Sequence, residues 1–441
     1  MAVTRPYPHP MEKEAHVSTA LTGRSTLGDW LEDPAGGPLV RELLTRLGQD
    51  VSRLGPARVF SLDRLVELSE GKISQPMVDD LVRAVHGGRR LVTGDERTTV
   101  DGTESRTGVG TGAGAGTGTR AGAGTRAGAG ASEGPVRQGL TLDRIQIRDP
   151  FVLYDGRTSA SPAAYHLYGS TDPNIWDGPG IGFDTYRSTD LLHWEGPFAA
   201  FRPPAGFWSE GSFWAPEVHE YRGRWYMFAT FTAPDGYRGT QILVGDTPQG
   251  PFAPWSEGAV TPRKWQCLDG TLHLDGSGAP WIVYCHEWTQ IHDGAIFAQR
   301  LGEDLRCATG TPVLLFNASD APWSKPLPGV SVKFPAYVTD GPYPFRLRSG
   351  HLLMLWSSHG EQGYAMGVAH SVSGLITGPW TQEEHALWPA DGGHGMIFRL
   401  ADGHLALTLH QPNNTPDERA VVRRLVEHDT TITIEDVPTS R

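Results

Sequence analysis

The chain has 441 residues, 38% of them apolar, and carries 38 Lys and Arg against 50 Asp and Glu for a formal net charge of −12. That suffices for one large domain with a small companion, and the negative balance speaks against a nucleic-acid partner. Cys267, Cys285 and Cys307 form neither a disulfide framework nor a zinc spacing, and no apolar run reaches the ~18 residues that a membrane helix needs, so no membrane partner is expected.

The opening stretch "MAVTRPYPHPMEKEAHV" lacks the apolar h-region of a secretory signal, so the expectation is a cytoplasmic protein. Residues 1–98 read as a small helical domain. "STLGDWLEDPAGGPLVRELLTRLGQDV" has a Ser/Thr start, a Pro-Gly break, and then Leu39, Leu43, Leu44, Leu47 and Val51 at helical spacing. "SLDRLVELSEG" is a second helical stretch, with Ser61 as N-cap and Gly71 as stop. A third, "SQPMVDDLVRAVHGG", has Pro76 near its first turn and Gly87-Gly88 at its end. Residues 99–139 are a Gly/Thr/Ala/Arg-rich linker, whose composition cannot bury enough apolar surface to offset ordering entropy. Its Gly-x-Gly strings are no phosphate loop, because no strand leads into them and no helix follows.

Residues 140–432 read as all-β. "AAYHLYGSTD", "GRWYMFATFT", "GAPWIVYCHEW", "GHLLMLWSSHG" and "GHLALTLHQP" are apolar strands, and the first four are each followed by a second strand. They recur every ~50–70 residues, in the range of propeller blades. Five such units suggest a five-bladed β-propeller, with a β-sandwich as the competing fold. In a propeller the inner strands converge on the axis, so acids at their starts can meet at one mouth. Asp149 in "QIRDPFVLYDG", Glu217 in "FWAPEVHEY", Asp269 in "QCLDGTLHLD" and Asp340 in "AYVTDGPYPFRL" are expected at matching places in four blades. A turn role explains one Asp-Pro or Asp-Gly better than it explains such a series.

"HEWTQIH" is not a zinc-protease motif, because His286 and His292 are not four apart on a helix. Glu287 within it is either a pocket acid or half of a structural pair with an Arg. Among 14 Trp, the candidates for stacking on a sugar are Trp208, Trp214, Trp288 and Trp356, each of which could equally be core. His410 with Asn413 is a rim contact or a polar turn.

These motifs together resemble glycoside hydrolase family 43, over about residues 140–430. The resemblance rests on Arg148-Asp149-Pro150, Trp214-Ala215-Pro216-Glu217-Val218, Leu268-Asp269-Gly270, Asp340-Gly341-Pro342 and "GGHGMIF" with His394. It implies a five-bladed propeller that releases arabinose, xylose or galactose from oligosaccharides with inversion, as an α-L-arabinofuranosidase or β-xylosidase type. It makes Asp149 the base and Asp269 the residue that tunes the acid. The family's acid slot, Glu-Gly-Pro, reads Asp-Gly-Pro here, so Asp340 takes it and Glu287 and Glu217 remain alternatives. Arg148, Glu217, His394 and the four Trp are the expected sugar contacts. No cofactor or catalytic metal is required, although a Ca2+ near His394 on the axis stays open. The competing functions are a sugar-binding propeller without hydrolysis and a retaining, fructan-type glycosidase. Every candidate acid follows residue 140, so the helices are expected to be dispensable for chemistry.

Overall fold

The computed structural model describes residues 21–23, 25–47, 61–69, 72–87, 135–156, 163–172, 175–176, 179–327 and 335–435. Most of the expected linker, and Val51, Gly71 and Gly88 of the helical stretches, lie outside these residues.

The described strands form five antiparallel sheets, four of them four-stranded and one five-stranded, arranged as the blades of a propeller. Each blade is built from consecutive strands, and in blades II to V the inner strand comes first. The inner strands are Arg148–Asp155, Gly211–Tyr221, Cys267–Leu274, Asp340–Arg346 and Gly393–Arg399 in blades I to V. The five apolar repeats seen in the sequence are the second strands, Ala164–Ser170, Arg224–Thr232, Pro280–His286, Leu352–Gly360 and Leu405–Gln411. They read as near-continuous apolar runs because neighbouring blades cover both of their faces. Arg137–Leu140, expected in the linker, instead pairs with the outer strand Trp194–Phe201 and gives blade I its fifth strand.

Among the described residues no strand is shared between blades to close the ring. Blades I and V are tied by a bridge between Gln146 and Arg419, by Ile147 N–H donating to Glu418 O (3.3 Å), and by Arg148 pairing with Glu418 (3.3 Å).

The helical segment contains α1 (Leu27–Glu32), α2 (Gly36–Arg46), α3 (Leu62–Leu68) and α4 (Gln75–Gly87). Thr26 and Asp29 form a reciprocal capping box on α1. The Asp33 carboxylate accepts from Ala35 and Gly36 N–H, so the Pro-Gly break separates α1 from α2. Trp30, Val40, Val78 and Leu81 are fully or almost fully buried at the centre. This core does not end at the helices. Trp288, Ala336 and Val338 of the propeller belong to the same buried apolar cluster, and Leu327 packs on it. Trp288 lies on α5 (Trp288–Ile291), a single turn after the second strand of blade III. Among the described residues no helix is long and apolar enough to cross a membrane.

Candidate active site

One local device repeats in all five blades. The inner strand is bulged near its start, just after one of its first pairings with the second strand: Arg148 opposite Ser170, Trp214 opposite Thr230, Leu268 opposite Cys285, Asp340 opposite Ser357, and Gly393 opposite His410. The next residue has left-handed backbone in every case: Asp149 (φ 54°), Ala215 (44°), Asp269 (55°), Gly341 (52°) and His394 (48°). A bulge leaves one residue outside the ladder, so its N–H needs another acceptor. The preceding blade supplies it. Asp149 N–H donates to His410 Nδ1 (3.2 Å), Ala215 N–H to Ser170 Oγ (2.8 Å), Asp269 N–H to Thr230 Oγ1 (2.9 Å) and His394 N–H to Ser357 Oγ (2.8 Å). In blade IV the matching acceptor position holds Cys285, a weak acceptor. Gly341 N–H turns instead to Asp269 Oδ2 (3.0 Å). Thus the exception in the pattern binds the blade IV mouth directly to a carboxylate.

This register corrects the expected equivalence of four acids. The true counterparts of Asp149 are Ala215, Asp269, Gly341 and His394. Asp340 stands one residue earlier in its strand. Glu217 stands two residues past the bulge, away from the pocket lining, with Oε2 on His219 Nε2 (3.0 Å). Glu217 therefore stands apart from the lining at which a sugar contact or a substitute acid is expected.

Asp149, Asp269, Asp340 and Glu287 line one pocket with Arg148, Trp176, Trp214, Trp288, Tyr364, His394 and Asn413, around a cavity of about 200 Å³. Trp208 and Trp356, expected against sugar, lie outside the pocket lining, Trp208 half-buried against the core and Trp356 within it. Trp208 packs on Phe207, Phe231 and Tyr237 and donates to Gln241. Trp356 is fully buried between Trp323 and Phe316 and donates to Gln382. Trp356, in a second strand, fills the space between blades, and Trp208 precedes an inner strand; the apolar pattern alone separates neither from the mouth.

His394 is the hub. Its Nδ1 lies 3.1 Å from Asp149 Oδ1 and 3.7 Å from Asp269 Oδ2. Burial lowers its proton affinity, yet the charges of Asp149 and Asp269 outweigh this and push it up to about 10. Asp149 also accepts from Ser170 Oγ (2.8 Å) and faces Arg148 Nε (3.6 Å). Burial raises this carboxyl, but His394 and Arg148 prevail and hold it below the usual carboxylate range. The other two acids go the opposite way. Burial raises Asp269 to about 8, with His394 opposing and the charges of Asp340 and Asp149 assisting. Burial raises Asp340 to about 6 against His394, Arg148 and the Tyr364 hydroxyl, which donates to Asp340 Oδ2 (2.9 Å). The pocket therefore sets one acid of lowered proton affinity beside two whose proton affinity burial raises.

Arg148 is itself held by Glu418 (3.3 Å) and Asn413 (2.5 Å), and stacks on Trp176 (5.1 Å). His410, pushed down to about 3 by burial and by Arg148, is neutral; Nδ1 accepts from Asp149 N–H and Nε2 donates to Asn413 (3.1 Å). Both readings of Glu287 hold at once. It lines the pocket, and its Oε2 accepts from Arg238 (2.6 Å) and Thr289 (2.9 Å), with Arg238 stacked on Trp214 (4.3 Å). Tyr364, Trp176 and Arg238 escaped the sequence reading. Tyr364 opens a third strand in "GYAMGV", where a lone aromatic carries no signal of its own.

His394, near which the sequence leaves a Ca2+ open, turns Nδ1 to the carboxyls of Asp149 and Asp269. Among the described residues no cluster of three or more His, Cys, Asp or Glu could hold a metal ion.

The model of Glycosyl hydrolases family 43 matches residues 144–431. The chain is similar to an endo-arabinase from Bacteroides thetaiotaomicron at 41% identity and TM-score 0.60, over 67% of this chain and 99% of that one. It is 22% identical over 251 residues, half of this chain, to alpha-L-arabinofuranosidase 43 of Humicola insolens. It is 24% identical over 210 residues, 44% of this chain, to an extracellular exo-alpha-(1->5)-L-arabinofuranosidase of Streptomyces chartreusis. The chain spans about half the length of these last two relatives, 48% and 58%.

Proposed function

The chain belongs to glycosyl hydrolase family 43, and from that membership we propose an inverting glycosidase that removes terminal sugars, α-L-arabinofuranosyl units first, from short oligosaccharides. The observation that carries this reading is the trio Asp149, Asp269 and Asp340 around His394, with opposite proton affinities in one small cavity. Inversion needs one carboxylate to activate water and one carboxylic acid to protonate the leaving oxygen. Asp149, held ionised by His394 and Arg148, takes a proton from water as the water oxygen bonds to the anomeric carbon. Asp340, whose proton affinity burial raises, gives a proton to the departing glycosidic oxygen as that bond breaks. Asp269 acts on Asp340 through charge and fixes the Asp340-Gly341 backbone by accepting from Gly341 N–H. Both acids are restored by exchange with water.

The arabinose preference draws on the names of the relatives, an endo-arabinase and two arabinofuranosidases. Action at chain ends draws on the cavity. About 200 Å³ is less than the ~300–1,000 Å³ of a site for a drug-sized ligand and suits a single sugar ring. Glu287, tied to the wall by Arg238 and Thr289, serves as a hydroxyl acceptor for that ring rather than as the acid.

Proton NMR of the sugar first released from an arabino-oligosaccharide tests the reading. The inverted anomer is expected, with release abolished in Asp149→Asn. Release of the retained anomer would sink the mechanism. Tight sugar binding without any turnover would favour a binding propeller.

A further inference from the structure

The helical segment has no place in the chemistry above, and none of its described residues lines the pocket. Its apolar core nevertheless runs into the pocket wall. Trp288, Ala336 and Val338 are buried in the cluster that contains Trp30, Val40, Val78 and Leu81, and Leu327 packs against it. Trp288, Leu327 and Val338 also line the cavity. They present one face to the sugar site and belong on the other to the helical core.

These wall residues adjoin the pocket acids in the chain. Trp288 follows Glu287, and Val338 stands two residues before Asp340. The two segments are stitched together by backbone bonds. Tyr337 N–H donates to His292 O (2.9 Å), Gly294 N–H to Tyr337 O (2.9 Å), and Leu327 N–H to Ala336 O (2.8 Å). The segment of residues 335–339 is thereby one slab with α5 and carries no ladder of its own beyond isolated bridging. Without the helices, the outer faces of Trp288, Ala336 and Val338 would be left in water, and apolar surface so exposed favours collapse or rearrangement.

We propose that the helical segment is the outer wall of the sugar site, holding the Trp288–Val338 slab in place so that the pocket selects a terminal sugar on a short oligosaccharide. The sugar class rests on the function proposed above; the structural coupling does not. The helices would then act through binding, and the acids would keep their own geometry around His394.

The test uses the full chain and Leu81→Asp, a change in the middle of the helical core and outside the pocket. Hydrogen exchange is read on peptides covering 286–294 and 324–340, with 164–170 and 405–411 in blades I and V as controls. The expected result is at least tenfold faster exchange in the slab, with the controls within about twofold. Kinetically, KM for arabinotriose rises tenfold or more while kcat stays within threefold. If the helices lose protection and the slab does not, the proposal is overturned. A loosened slab with an unchanged KM overturns it as well. Should the controls also lose protection, Val78→Ala makes a smaller lesion in the same core and is judged by the same readings. If the unaltered chain turns over no arabinoside, the function proposed above fails by itself; the dissociation constant of arabinotriose then takes the place of KM.

Discussion

His394 and the three aspartates form a charge system in which each group depends on the others. Asp149→Asn removes the acceptor for the water proton, and kcat should fall by ~10²–10⁴; near-normal turnover would remove Asp149 from the role of base. Asp340→Asn should cripple glycosides with poor leaving groups and spare dinitrophenyl glycosides, which need no protonation. Equal slowing of both would make Asp340 a positioning residue. The pH profile follows from the same shifts. Asp149 is held low, so the acid limb of kcat/KM should lie below the ordinary carboxylate value. The basic limb should fall between about 6 and 8, as Asp340 and Asp269 lose their proton. Stability moves in one direction over part of this range. The folded chain keeps a proton on Asp269 up to about 8 and on His394 up to about 10, where the unfolded chain has released both. The native state therefore binds more protons, and the melting temperature should decline as pH rises from 6.5 towards 10. A melting temperature that climbs over this window would contradict the assigned proton states.

The inner-strand bulge is the element that delivers these side chains. Left-handed backbone at a non-glycine residue costs ~1–3 kcal/mol and persists where surrounding structure enforces it. Asp149, Ala215, Asp269 and His394 all bear that cost. Each is compensated by a side-chain acceptor at the end of the preceding blade's second strand. Ser170 serves two such groups, accepting from Ala215 N–H and donating to Asp149. Ser170→Ala leaves a buried N–H without a partner and should cost about 1–3 kcal/mol, measured by denaturant unfolding, with a parallel drop in kcat. At Gly341 the strain takes another form. A Cβ there would stand 2.7 Å from His394 Cδ2. Gly341→Ala should lower both stability and kcat, because the ring that must move is the hub of the acids. A fully active Gly341→Ala would show that His394 has slack which the present contacts do not allow.

At the scale of the whole molecule, two seams matter: the closure of blade V on blade I, and the contact of the helices with the pocket wall. The first is built on Arg148, which pairs with Glu418 on one side and Asp149 on the other. Glu418 is almost fully buried, so Glu418→Gln strips a partner from a buried cation and should cost about 3–5 kcal/mol. A melt unaffected by this change would show that the ring closes without the pair. The second seam makes the helices part of the site's architecture, although every acid lies in the propeller.

Local chemistry was enough to reveal the helices, the five blades and the acids at Asp149, Asp269 and Asp340. Apolar periodicity, caps and Asp before Pro or Gly act over a few residues, and one chain shows them directly. Which residues share the mouth was a different matter. A bulge shifts a strand's facing by one position, so Glu217 left the pocket while Ala215 took its expected place, and Trp208 and Trp356 fell outside the lining. Tyr364, Arg238 and the helical backing of Trp288 came from segments far apart in the chain. Strand register, ring closure and the proton affinities of buried acids depend on distances between such segments, and only the folded chain sets those.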